Sequence, residues 1–341
     1  MKQLLQLTVL VLLSSNIFGQ TNTNLATVTQ QIQEMDRDGV ITHPETIQTV
    51  LLGESQVFRD VIIDPNVVHP ITKPKKYGYH AKDDWLLNET VNPNALPQNG
   101  DMAHQKDYNR DLSTNKSTEI GNWEGMGTTT MPGDPALDVG PNHVVQMMNG
   151  GSGAVVKIWD KTGGVLLNTT LFSTLAGTGS GLGDPIVLYD ERADRWLLSE
   201  FQNGGNNLYI AISTTPDPTG SYYIYSVLAP TFPDYPKYSI WDNSYLITAN
   251  ESGGSSSVYA LDRTSMLAGG ATSSQRFTVP HFGTIGFQMT TPVSILGTVV
   301  SGTPALLMRM RDDAWAGSAS DALEMWELDI NWATPGAATL A

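Results

Sequence analysis

The sequence predicts an all-β fold: a β-propeller of four-stranded blades, with four blades visible, preceded by a short helical N-terminal segment. Three observations predict it. Gly183-Asp184-Pro185 opens two short apolar runs, 186–189 and 196–201, joined by the polar turn 190–194. The same opening stands at Gly133-Asp134-Pro135, and a variant stands at Asp234-Tyr235-Pro236, so that three aspartates recur fifty residues apart. That period lies in the range of propeller blades. Each period also holds up to four strand-like runs separated by Gly- or Pro-rich turns, the layout of a blade whose strands are ordered outward from a central channel.

The blades are placed at 134–172, 184–229, 234–280 and 291–341, within a repeat region 119–341. The first gives strands at 136–139, 143–148, 154–159 and 165–171. The second gives 186–189, 196–201, 208–213 and 222–228, and the third 238–241, 245–249, 257–261 and 275–279. The fourth gives 293–296, 305–310 and 322–330, then stops without a fourth strand. Either a strand near Trp123 closes a small four-bladed ring, or the ring is incomplete. A solenoid fits less well, because its repeats are shorter, and an immunoglobulin-like array lacks its Trp-and-Cys framework.

Composition narrows the class. Charged residues make up only 16% of the 341 residues, with 32 glycines, which suits strands joined by tight turns. The formal net charge of −15 argues against nucleic acid as a partner, since that demands a basic face. There are no cysteines, so no disulfide and no thiol chemistry. Residues 1–20 read as a cleaved secretory signal: Lys2, an apolar run over 4–13, and a polar exit at Gly19-Gln20. That run is too short to span a bilayer. The expected location is therefore extracellular or at the cell surface, with no transmembrane segment.

Residues 21–63 read as helical, with Leu25, Val28 and Ile32 on one face and a second helix after Thr42 carrying Ile47, Val50 and Leu51. The stretch 34–45 between them matches a calcium-binding helix-loop-helix at several places. Its ligands would be Glu34, Asp36, Asp38, the Val40 carbonyl, Thr42 and Glu45, with Gly39 at the sharp turn. Calcium is the one cofactor the sequence suggests. Two departures weaken the match: Glu34 replaces the usual Asp, and Pro44 precedes Glu45. A capping box, Thr42 with Glu45 three residues on, explains the same residues without a metal. Residues 64–118, with five scattered prolines, read as an extended wrapping or linking segment. Its lysines 73, 75, 76 and 82 read as a solvated patch.

Several motifs together resemble a family of large secreted bacterial β-propeller-like proteins. They are Val139-Gly140-Pro141-Asn142-His143-Val144-Val145-Gln146-Met147-Met148-Asn149-Gly150, the run 183–201, Ser213-Thr214-Thr215-Pro216-Asp217-Pro218-Thr219-Gly220, Phe232-Pro233-Asp234-Tyr235-Pro236-Lys237, and Met308-Arg309-Met310-Arg311-Asp312-Asp313-Ala314-Trp315. The resemblance implies a cell-surface or secreted protein of uncharacterised function, with a propeller that is here truncated. It brings no catalytic residues with it.

No reaction motif is present: no Gly-x-Ser-x-Gly elbow, no His-x-x-x-His pair and no phosphate loop. Asp134, Asp184 and Asp234 would ring one mouth of the channel and hold a cation or a polyol, or else satisfy the backbone of their own turns. Glu200 and Glu251 are a conceivable acid–base pair for glycoside cleavage, with ion-paired structural roles as the alternative. The tryptophans and tyrosines read as core between blades or as a sugar-stacking platform. The leading expectation is a binding or scaffold module for a glycan or protein at the cell surface. A carbohydrate-active hydrolase or lyase working at the channel is the second reading, and a calcium-dependent adhesion protein the third.

Overall fold

The computed structural model describes residues 42–62, 121–252, 255–280, 290–311 and 321–341, all within one compact unit, Val40–Ala341. In chain order the strands are β1 (Glu45–Thr46), β2 (Thr49–Glu54), β3 (Ala136–Val139), β4 (His143–Gly150), β5 (Gly153–Asp160) and β6 (Val165–Leu171). After helix α1 (Phe172–Ala176) come β7 (Gly181–Asp190), β8 (Arg195–Gln202), β9 (Asn207–Ser213) and β10 (Tyr222–Leu228). Then follow β11 (Pro233–Ile240), β12 (Ser244–Glu251), β13 (Ser255–Asp262), helix α2 (Arg263–Leu267) and β14 (Ser274–Val279). The last are β15 (Thr291–Pro292), β16 (Ala305–Arg311), β17 (Ala322–Asp329) and β18 (Thr339–Leu340).

These strands form four antiparallel sheets, each a meander of four consecutive strands: β3 to β6, β7 to β10, β11 to β14 and β15 to β18. The innermost strands β3, β7, β11 and β15 pack side by side in that order. Successive sheets share apolar cores. Val145, Met147, Val156 and Ile158 meet Val187, Trp196 and Leu198 between the first and second. Leu197, Ile210 and Ile212 meet Tyr245, Ile247 and Tyr259 between the second and third. Leu246, Val258 and Phe277 meet Ala305, Leu307 and Leu328 between the third and fourth. Neighbouring residues such as Leu197 and Leu198 thus feed opposite cores. A sheet covered on both faces needs apolar side chains on both, so β8 reads as a continuous apolar run rather than an alternation.

The segment before these sheets is a strap, not a helix. Thr42 bridges Leu340 with backbone hydrogen bonds of 3.0 and 3.1 Å. β1 adds to the outer edge of β14, and β2 adds to the outer edge of β10. Beyond them Phe58 is fully buried in the core between the first and second sheets and stacks on Tyr222 at 4.3 Å. The expected helix carrying Ile47, Val50 and Leu51 is therefore corrected. Leu51 packs on the core while adjacent Val50 is exposed, the two-residue period of a strand. The apolar spacing fits both periods, and the free edges of β14 and β10 decide between them by supplying backbone partners that a helix would not use.

Of the proposed calcium ligands, Glu34, Asp36, Asp38 and Val40 lie outside the described residues. Thr42 and Glu45 belong to the strap, and Glu45 accepts a hydrogen bond of 2.8 Å from Arg276. The signal segment, the helix at 25–35 and the Pro-rich segment also lie outside the described residues. Two details of the fourth repeat differ from expectation. Its inner strand is Thr291–Pro292 rather than 293–296, and a fourth strand, Thr339–Leu340, does pair with β17. A strand of two residues has no periodicity for a sequence to display.

Candidate functional site

The inner strands begin at one end of the molecule, and there the repeated motif takes an unusual backbone. Asp134, Asp184 and Tyr235 have φ of 37°, 49° and 54°. Each immediately precedes a proline, a place where the following ring disfavours helical backbone. Side chains with a Cβ rarely occupy this left-handed region, and strain of this kind gathers at functional sites. The equivalence corrects the sequence series. The third member is Tyr235, not Asp234, because the register slips by one residue. Asp234 instead caps its own turn, accepting from the Tyr235 N–H at 2.8 Å.

Asp134 and Asp184 converge on Asn149, at the end of β4. The Asn149 amide donates to Asp134 Oδ2 at 2.8 Å and to Asp184 Oδ1 at 3.2 Å, while the Asp184 N–H donates to Asn149 Oδ1 at 2.7 Å. Partial burial, then the charge and hydrogen bond of Asp184, raise the Asp134 carboxyl above its ordinary value, against the opposing pull of Lys237. Lys237, on β11, feels the reverse: burial lowers its ammonium, and the charges of Asp184 and Asp134 draw it back up. Its Nζ also lies 3.6 Å from the centre of the exposed Tyr235 ring. The mouth thus combines a carboxyl pair, an ammonium, an amide and an aromatic ring. Sequence reasoning missed Asn149, Lys237 and Tyr235. The Pro residue aligned across the three motifs was the signal for Tyr235.

Glu200 and Glu251 do not form a pair of free carboxylates. Both Glu251 oxygens are held by the Arg276 guanidinium, and Tyr259 donates to one of them. Burial opposes ionisation of Glu251, but the hydrogen bonds from Arg276 and Tyr259 and the charge of Arg276 prevail and lower its pKa. Glu200 is 1% exposed, and its Oε2 accepts from the Ala154 N–H at 2.8 Å. Burial pushes it up to about 7, against the Ala154 and Gly183 N–H groups. Arg309, Trp196 and Trp241 have structural partners. Arg309 pairs with Glu324 at 2.7 Å, Trp196 and Trp241 are buried, and their indoles donate to the carbonyls of Pro216 and Thr303. Asp312, Asp313 and Trp315 lie outside the described residues.

At the other end of the inner strands a cavity of about 140 Å³ is lined by Val139, Leu188, Ile240 and Ile295. Asp138, Asp190, Glu191 and Arg192 line it too; the Asp138 carboxylate accepts from the Tyr189 N–H, Asp190 pairs with Arg263 at 2.6 Å, and Arg192 pairs with Asp242 at 3.2 Å. Among the described residues no group of three or more His, Cys, Asp or Glu side chains is placed to hold a metal ion, and no helix is long and apolar enough to cross a membrane.

No protein-family model matches this chain, and no curated protein matches it. Solved structures do resemble it. One is an α-L-arabinofuranosidase from Podospora anserina in complex with cellotriose, at 12% identity and a TM-score of 0.35, over 58% of this chain and 64% of that one. A second is the catalytic domain of a GH62 α-L-arabinofuranosidase from Coprinopsis cinerea, at 12% identity and a TM-score of 0.33, over 57% and 63%. A third is a GH43 endo-arabinanase from Bacillus licheniformis, at 13% identity and a TM-score of 0.20, over 59% and 95%. The match spans less than two thirds of the first two. At these scores the likenesses carry no substrate and no residue role to this chain.

Proposed function

We propose that the protein is a secreted, carbohydrate-binding propeller whose ligand sits at the mouth formed by Asp134, Asp184, Asn149, Tyr235 and Lys237. The observation that carries this reading is the convergence of two equivalent pre-proline carboxylates on Asn149, beside Lys237, whose ammonium feels both charges and lies against the Tyr235 ring. Sugar hydroxyls both donate and accept. Adjacent carboxylate oxygens suit a vicinal diol, the Lys237 ammonium suits its lone pairs, and the Tyr235 ring suits the C–H face of a pyranose or furanose.

A second reading, glycoside cleavage, draws support from the raised Asp134 carboxyl beside Asp184, an acid next to a base. Their engagement counts against it: cleavage needs an acid and a base free to meet the glycosidic bond, whereas the Asn149 amide donates to both carboxyl groups, at 2.8 and 3.2 Å. Binding is therefore the primary reading. Calorimetric titration with arabino-, xylo- and cello-oligosaccharides tests it, alongside a reducing-sugar assay on the corresponding polysaccharides. We expect saturable binding that weakens at least tenfold in Tyr235→Ala and in Asp184→Asn. Binding unchanged in both variants, or none to any glycan, overturns the reading; release of sugar that Asp134→Asn abolishes promotes the enzyme.

A further inference from the structure

Glu200 stands one layer behind the mouth and has no role in the binding contacts. Its side chain crosses from β8 in the second sheet to β5 in the first, where the Ala154 N–H meets Oε2 at 2.8 Å. Oε1 has no partner among the described residues. The space it fills exists because the chain around it is glycine. A Cβ at Gly181 would lie 1.8 Å from Oε2, and one at Gly153 would lie 3.0 Å from it. The next glycine, Gly183 at φ 104°, lies near enough for its N–H to oppose the rise of the Glu200 pKa, and a Cβ there would meet Asn149 Oδ1 at 2.3 Å. The register of β7 on β8 shifts on both sides of Gly183. Glu200, Gly183 and Asn149 are thus contiguous, and Asp184 follows directly on the chain.

We propose that Glu200 is a proton-controlled positioning residue: its carboxyl holds the Gly181–Gly183 bulge, and its gain or loss of a proton resets Asp184 and Asn149 at the mouth. This rests on the mouth being the ligand site. The ionised form places a buried charge where no cation pairs with it among the described residues, and draws the Ala154 and Gly183 N–H groups inward. The protonated form needs only one acceptor for its O–H and relaxes that pull. The ionisable groups around it are Tyr209, opposite on β9, Asp184 on β7 and Asp134 ahead of β3, with Lys237 of β11 beyond the two aspartates. Its folded value, about 7, exceeds the ordinary glutamate value. Its contribution to stability is therefore complete below about pH 4.3 and is lost as pH rises through 7.

The test needs no ligand at first. Carboxyl carbon and backbone amide NMR of the intact chain is followed from pH 4 to 8.5. We expect the Glu200 carboxyl to titrate near 7, the Ala154, Gly183 and Asp184 amides to follow with the same midpoint, and Glu200→Gln to remove that midpoint. A Glu200 midpoint near 4.5, or an Asp184 amide that does not follow it, overturns the proposal even if the variant fails to fold. Xylotriose and arabinotriose then serve as probes. Affinity that changes at least threefold between pH 5.5 and 8 in the wild type, and not in Glu200→Gln, supports the coupling; a flat profile overturns it. If neither probe nor any other glycan binds while the Asp184 amide follows Glu200, the ligand reading falls and the positioning role stands.

Discussion

At the scale of residues, two buried carboxylates, Asp190 and Glu251, sit in arginine–tyrosine networks. Asp190, 1% exposed, is held by Arg263 at 2.6 and 2.8 Å and by the Tyr245 hydroxyl at 3.0 Å. Arg276 does the same for Glu251 and reaches outward to the exposed Glu45 of the strap. The two ends of that second network predict different costs. Arg276→Met takes the guanidinium from both oxygens of the buried Glu251, and should destabilise the fold by about 3–5 kcal/mol in urea denaturation. Glu45→Gln removes only the exposed end and should cost less than about 1 kcal/mol. Because Glu251 is depressed, its stabilisation is present above the ordinary glutamate value and is lost as pH falls through the folded value. A loss of stability on acidification that persists in Glu251→Gln would contradict that assignment.

At this same scale the sequence was legible in part. The Gly-Asp-Pro motifs mark the start of inner strands because a left-handed residue before proline needs a fixed neighbourhood, and the motif repeats with it. The partner of the two carboxylates was not legible. Asn149 lies on the second strand of its own sheet, 35 residues from Asp184, and only the packing of the first sheet on the second brings them together. The Glu200–Glu251 pair failed for a similar reason: Arg276, 25 residues along from Glu251, claims both oxygens.

At the scale of elements, the strap is the feature that local sequence misread. Its residues form strands only because the outer edges of β10 and β14 stand ready to pair with them. Phe58 anchors its far end, fully buried against Tyr222. Phe58→Ala should cost about 3–5 kcal/mol, the usual range for a large buried aromatic. Leu51→Pro should also destabilise, since it removes an N–H from the β2 ladder. Val50→Ala, on the exposed face of the same strand, should leave the melting temperature nearly unchanged. Comparable losses at Val50 and Leu51 would contradict the strand and favour a helix. The apolar runs of β8 and β12, by contrast, were plain from sequence: Leu197-Leu198 and Leu246-Ile247 each supply two cores, and nothing distant is needed to see it.

At the scale of the whole molecule, four meander sheets share an inner edge, and the strap crosses the outer edges of the last three before Phe58 enters the core against the first. The starts of β3, β7 and β11 meet at one mouth, where Asp134, Asp184, Asn149 and Lys237 gather. A net charge of −15 makes Lys237 at this mouth notable, since it sets an ammonium and its donors beside two carboxylates. The central claim is that this mouth binds a sugar. The most direct measurement is the map of backbone amide shifts when a tightest-binding oligosaccharide is added to the full chain. The account predicts the largest shifts at Asp134, Asn149, Asp184, Tyr235 and Lys237. Shifts confined to the opposite end, around Leu188 and Ile240, or to the strap, would contradict it.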